Sequence, residues 1–257
     1  MIEENILVKT SMDEYLLSQD EKKFYYHNGY LLIKGLFTKQ EMNIIRKDMD
    51  EFANGHYTNY LNMHHFKSIR EIHRNKKMCD IADQIINMRA IPIGCTSFFC
   101  KPNNPLENGS VLHQDNAYND GALSEDPNAF INIGLAVDDA DINNSPLMVV
   151  PGSHKLGPLP HKAQDNFSTD KSGKLYNSNP IGNECELPSG HTITQLEYKS
   201  GDAIILHSHI LHRAKKNKHP TKWRRALYYL YIGEDISFSP GRTAKRTLLS
   251  RYDSKNL

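Results

Sequence analysis

No apolar run in this sequence approaches the roughly 18 residues that a membrane-spanning helix requires. The chain opens Met1-Ile2-Glu3-Glu4-Asn5, with acids where a secretory leader would carry basic residues and then an apolar stretch. Both absences predict a soluble, cytoplasmic protein. Cysteine is scarce: Cys79, Cys95, Cys100 and Cys185 are the only four, and none forms a Cys-x-x-Cys pair. That spacing excludes a zinc knuckle and a small disulfide scaffold, and predicts reduced thiols. Charge of either sign is not in excess, with 31 Lys and Arg against 30 Asp and Glu. The balance argues against a nucleic-acid or acidic-membrane partner and points to a local site for a small molecule. Internal repeats are absent. What the chain does have is length, and 257 residues suffice for one large core, so a single domain over 1–257 is expected.

In chain order, residues 12–27 have helical spacing and end at Asn28-Gly29, a helix-stop signal. Tyr30 to Lys34 reads as a short strand. Thr38 with Glu41 forms a capping box ahead of a helix through Ile44, Ile45, Met49 and Phe52. The stretch 55–74, with His56, His64, His65, His73, Tyr57 and Tyr60, reads as an exposed polar loop. A helix over 77–88 follows, with Met78, Ile81, Ala82, Ile85 and Ile86 as its apolar stripe. From Ile91 the texture changes to short β runs at 95–101, 130–137, 147–150, 203–206 and 226–232. The expected architecture is an all-β core (about 91–235) with flanking helices in an N-terminal layer (about 1–90). Residues 155–195 are polar and aperiodic, and read as an insertion at the barrel mouth.

The chemistry concentrates at Val111-Leu112-His113-Gln114-Asp115-Asn116. In an extended chain His113 and Asp115 point one way and Gln114 the other. An imidazole and a carboxylate side by side need one more histidine to make the two-His-one-carboxylate set of non-haem Fe(II) oxygenases. His207, His209 and His212 all compete for that place, and alternation alone does not choose among them. A turn at Asn217-Lys218-His219-Pro220 suits a hairpin that returns Arg224 or Arg225 level with the metal. Only one of two adjacent strand residues can face inward, and a guanidinium there matches a carboxylate in a way lysine cannot.

Several stretches, in this order, resemble the phytanoyl-CoA dioxygenase family: His113-Gln114-Asp115-Asn116-Ala117-Tyr118; Asn143 through Pro151-Gly152-Ser153-His154-Lys155; Gly201-Asp202-Ala203-Ile204-Ile205-Leu206-His207; and His212 followed by Trp223-Arg224-Arg225-Ala226-Leu227. Asn28-Gly29-Tyr30 to Leu36 resembles its opening strand. The resemblance implies a double-stranded β-helix, a jelly-roll barrel that holds Fe(II) and takes 2-oxoglutarate and O2 as co-substrates. It implies His113, Asp115 and His212 as metal ligands and leaves His207 and His209 to neighbouring or packing roles. It selects Arg224 for the distal carboxylate of 2-oxoglutarate, with Arg225 as the alternative because the spacing is one residue longer than usual. Family enzymes release succinate and CO2 and most often hydroxylate an unactivated C–H bond; relatives that halogenate lack the carboxylate that Asp115 supplies. Candidate substrate contacts are Ser97 and Phe99, which share a strand face, and Tyr118. The chain departs from the pattern at Ala214, where relatives often carry a small hydroxyl residue, and at Gly134, where some carry a bulky one, which would widen the pocket. A natural-product intermediate or amino-acid-like substrate is the expected one. The alternatives are an acyl-CoA 2-hydroxylase, a non-oxidative cupin-like metalloenzyme and a small-ligand-binding protein.

Overall fold

The computed structural model describes residues 14–55, 63, 66–103, 110–116, 130–162, 184–237 and 247–251, together with the backbone of 167–169 and 175–177. Helix α1 (Gln19–Asn28) begins where Ser18 and Glu21 form a reciprocal capping box, and it ends at Gly29, whose φ of 80° only glycine adopts without strain. It is therefore shorter than its periodicity predicts, because residues 14–18 lie outside the helix. Helix α2 (Lys39–Ala53) has the expected Thr38–Glu41 box and buries Met42, Ile45 and Met49. Helix α4 (Lys76–Ile86) buries the predicted stripe.

One stretch departs from expectation. Lys67–Arg74 forms helix α3 rather than exposed loop, and it buries Ile69, Ile72 and His73. His73 is a core residue: its Nε2 lies 3.2 Å from the Leu230 carbonyl, and its own carbonyl accepts from the Tyr231 hydroxyl at 2.7 Å. His56, Tyr57, Tyr60, His64 and His65 lie outside the described residues.

The strands are β1 (Tyr30–Ile33), β2 (Ala90–Cys100), β3 (Phe130–Ala136), β4 (Leu147–Val149), β5 (Phe167–Thr169), β6 (Leu175–Asn177), β7 (Thr194–Gln195), β8 (Ala203–His207), β9 (His212–Ala214) and β10 (Arg224–Gly233). Among the described residues they form a five-stranded antiparallel sheet in the order β1-β8-β3-β10-β2, a three-stranded sheet β7-β4-β9, and the pair β5-β6. One face of the large sheet packs on the helices: Cys95, Phe99, Ile131, Ile133, Ile205, Leu227 and Tyr229 join Met42, Ile45, Ile69 and Ile81 in a single cluster. The other face meets the small sheet, with Ala136, Ile204 and Leu206 against Leu147 and Val149. Two packed sheets with helices on one side are the expected jelly roll. Strand β1, although it lies within the helical layer in sequence, is an edge strand of the large sheet, paired with β8.

The hairpin expected after His212 does not form. Strand β9 pairs with β4 in the small sheet, whereas β10 lies between β2 and β3 in the large one. The polar segment between them is a crossover from sheet to sheet. Asn217 shapes it by donating to the carbonyls of Cys100 and Lys222.

Candidate active site

His113 and His212 face each other across a pair of strands and exchange both backbone hydrogen bonds, at 3.1 and 3.0 Å. Residues paired in this way project their side chains to one face, and the two rings sit 4.3 Å apart. Two residues after His113, Asp115 brings its Oδ1 to 3.7 Å from His113 Nε2 and 3.6 Å from His212 Nε2. One donor atom from each of the three residues lies within 4.8 Å of the others. Donors spaced like this fit around one ion at about 2.1 Å from each.

The protonation pattern fits a metal as well. His113 Nδ1 lies 2.7 Å from the Val111 carbonyl and His212 Nδ1 lies 3.1 Å from the Ile210 carbonyl. Each Nδ1 must carry the hydrogen to make those contacts, so each Nε2 presents a lone pair to the shared point. Burial, and then the His212 ring, lower the pKa of His113 to about 4. It is neutral, as a ligand must be. Asn132, on β3, donates to Asp115 Oδ2 at 2.9 Å and holds the carboxylate in place. Gln114 points the other way, as alternation predicts: its side chain donates to the Gly157 and His209 carbonyls and accepts from Leu159 N–H.

The other two histidines are placed elsewhere. His207 lies near Tyr25 and His154, and its Nδ1 accepts from the backbone N–H of His209. His209 Nε2 lies 3.0 Å from the Asn116 amide nitrogen.

The two arginines separate in the same way. The Arg225 guanidinium is claimed by two acids, Asp50 at 2.9 and 3.0 Å and Asp138 at 2.8 Å, and stacks on Trp223. Arg224 points to the opposite face and is fully buried. Its Nε donates to the Tyr198 hydroxyl at 2.7 Å, its Nη2 donates to the Tyr228 hydroxyl at 2.9 Å, and Phe98 lies under it at 4.8 Å. Among the described residues it has no carboxylate partner.

The structure corrects two further expectations. Ser97 and Phe99 do share a face, but it is the helix-packed one, where Phe99 sits with Leu227 and Tyr229. The barrel-facing side of β2 presents Thr96 and Phe98, both only partly buried. Gly134 does not leave a widened pocket: it lies opposite Tyr228, whose ring fills the space, so that a Cβ on Gly134 would lie 2.9 Å from Tyr228 Cε1. Tyr118 lies outside the described residues. Sequence reasoning missed Asn132, Phe98, Tyr198 and Tyr228. Only Tyr228 left a readable signal, four residues after Arg224 and so on the same face of one strand.

Two packed antiparallel sheets carrying a His-x-Asp pair and a facing histidine define a double-stranded β-helix metalloenzyme. The model of the phytanoyl-CoA dioxygenase family matches residues 25–226. The chain belongs to that family, which places it among the iron- and 2-oxoglutarate-dependent dioxygenases. Phytanoyl-CoA dioxygenase 1 of Oryza sativa subsp. japonica is 31% identical over 46% of this chain, a match that spans 36% of the rice protein's length. The phytanoyl-CoA dioxygenase of Arabidopsis thaliana is 21% identical over 85% of this chain and 89% of its own. Among solved structures, the carbocyclase SnoK from nogalamycin biosynthesis superposes with a TM-score of 0.66 at 17% identity, covering 88% of each chain. EctD from S. alaskensis with bound Fe gives 0.67 at 12% identity, covering 94% of this chain and 90% of its own. At such identities the likeness establishes the fold. Among the described residues no helix is long and apolar enough to cross a membrane.

Proposed function

We propose that this protein hydroxylates an unactivated C–H bond of a small metabolite, a natural-product intermediate or amino-acid-like molecule, with release of succinate and CO2. The observation that carries this reading is the buried Arg224 guanidinium without a carboxylate partner among the described residues. A buried cation left without a counter-charge is costly. An entering dicarboxylate supplies that charge, and its carboxylate accepts two parallel hydrogen bonds that a guanidinium donates.

His113, Asp115 and His212 would hold Fe(II), which when bound supplies the O2 chemistry. Three protein donors leave open positions for a keto acid and for O2. Asn132 fixes the Asp115 carboxylate, and the carbonyls of Val111 and Ile210 fix the two imidazole tautomers. Arg224 holds the far end of 2-oxoglutarate. Thr96 and Phe98 supply the wall against which substrate lies, in place of Ser97 and Phe99. The presence of Asp115 favours hydroxylation over halogenation, which needs that position free of a carboxylate.

SnoK is described as an alpha-ketoglutarate-dependent carbocyclase, and EctD has been solved with 2-oxoglutarate and 5-hydroxyectoine. 5-Hydroxyectoine is a small metabolite, the class of molecule proposed here. The test is anaerobic titration of the Fe(II) protein with 2-oxoglutarate, followed by visible absorption and, after admission of O2, by succinate release. Metabolites are then screened for a mass gain of one oxygen atom. A non-oxidative cupin or a binding protein releases no succinate, and such a result sinks the proposal.

A further inference from the structure

We propose that the Tyr198 and Tyr228 hydroxyls are the co-substrate anchors of this enzyme, donating to the distal carboxylate of 2-oxoglutarate beside Arg224 in the role that Ala214 has no hydroxyl to fill. The inference rests on the 2-oxoglutarate reading above and adds to it two residues from separate parts of the chain. Both phenol oxygens accept from Arg224, at 2.7 and 2.9 Å. A phenol that accepts in this way turns its own hydrogen elsewhere, and among the described residues neither hydrogen has an acceptor. Burial pushes the pKa of both phenols up. They are neutral at physiological pH, so they keep their protons and do not balance the guanidinium. The result is a cation and two O–H donors around one point with no anion, a site that a carboxylate completes.

The position along the barrel agrees. Tyr228 is paired with Gly134 on β3, two residues along from Asn132, which donates to Asp115, so its ring stands on the same face of the sheet as the residue that holds the metal carboxylate. Both rings are held in place. Tyr198 exchanges backbone hydrogen bonds with Ala140 at 2.9 and 3.0 Å. Tyr228 occupies the space left by Gly134, stands edge-on to Phe98 and remains partly accessible.

The experiment measures binding, not turnover. Wild type, Tyr198→Phe and Tyr228→Phe, each loaded with Fe(II) under nitrogen, are titrated with 2-oxoglutarate and with 2-oxobutyrate, which keeps the keto-acid end but has no distal carboxylate. Affinity for 2-oxoglutarate falls about tenfold or more in each variant, the usual scale for a lost hydrogen bond to a charged group. Affinity for 2-oxobutyrate stays at the wild-type value. Variants that bind 2-oxoglutarate like a binding-competent wild type overturn this inference alone, as does an equal loss for both ligands. A wild type that binds no 2-oxoglutarate overturns the proposed function together with it.

Discussion

Strand β10 carries two adjacent arginines, both buried, that meet opposite surroundings. Arg225 faces the helices and is held by Asp50 and Asp138. Arg224 faces the barrel and meets only neutral partners among the described residues. The same division runs through the sheet. The groups that the helix-facing side buries without a hydrogen bond, such as the Tyr25 and Tyr229 hydroxyls, are neutral, whereas the barrel-facing side keeps a cation with no counter-charge among the described residues and an Asn132 whose Oδ1 has no partner. A buried charge without a counter-charge costs far more than an unpaired neutral hydroxyl. One face compensates its buried arginine within the fold, and the other, on the function proposed above, leaves that to a ligand.

Substitutions that separate stability from ligand binding can break that division. The largest effect is expected at the metal triad: Asp115→Ala abolishes succinate release while the melting temperature stays within a few degrees of wild type. Succinate release that survives would dismantle the assigned centre. Arg224→Gln should weaken 2-oxoglutarate by about 100-fold, the scale for losing a buried charged partner, with little change in the denaturation midpoint. Arg225→Gln should do the reverse, costing about 2–4 kcal/mol because Asp138 and Asp50 lose their cation, with co-substrate affinity unchanged in the folded fraction. If the two variants gave the same phenotype, the contrast between the faces would be wrong.

A finer version uses neighbours on β2. Phe99→Ala opens a cavity against the helices and should cost about 3–4 kcal/mol in urea unfolding. Phe98→Ala, on the partly open face, should cost about 1 kcal/mol or less and act chiefly on substrate KM.

The smallest effect concerns pH. Burial, and then His154, lower the folded-state pKa of His207 to about 3, below the ordinary 6.5, so the folded state resists its protonation. Its contribution is fully present above about pH 6.5 and is lost as pH falls toward 3, by up to about 1.4 kcal/mol per pH unit. His207, and likewise His113 with its pKa lowered to about 4, should each make chemical denaturation at pH 7 and pH 5.5 differ by roughly 1 kcal/mol, and His207→Gln should remove only its own share of that difference.

What could be read from sequence followed how local each feature is. The His113–Asp115 pair is separated by two residues, and the capping box at Thr38 by three, so both were visible. The parity of β2 was not. Every residue from Pro92 to Cys95 is buried, so no polar alternation marks which side faces the helices, and Ser97 and Phe99 were placed on the wrong face. The crossover after His212 has the same turn residues as a hairpin, and only the sheet that β9 joins tells them apart. Helix α3 was hidden because its charged face and histidine resemble a polar loop, while Ile69, Ile72 and His73 bury only once the barrel is present. Tyr198 meets Arg224 through tertiary structure alone.

Gln114 bears on how the polar insertion is fastened to the site. Its side chain ties the iron-binding strand to Gly157 and Leu159, at the entry to the polar insertion, and to the His209 carbonyl. At the exit, Cys185 N–H donates to the Leu112 carbonyl, and Lys162 and Glu184 pair backbone to backbone between the two. Both described ends of the insertion are thus fastened to the segment that carries His113. A change at Gln114 would therefore be felt both at the metal-binding residues beside it and at the root of the insertion.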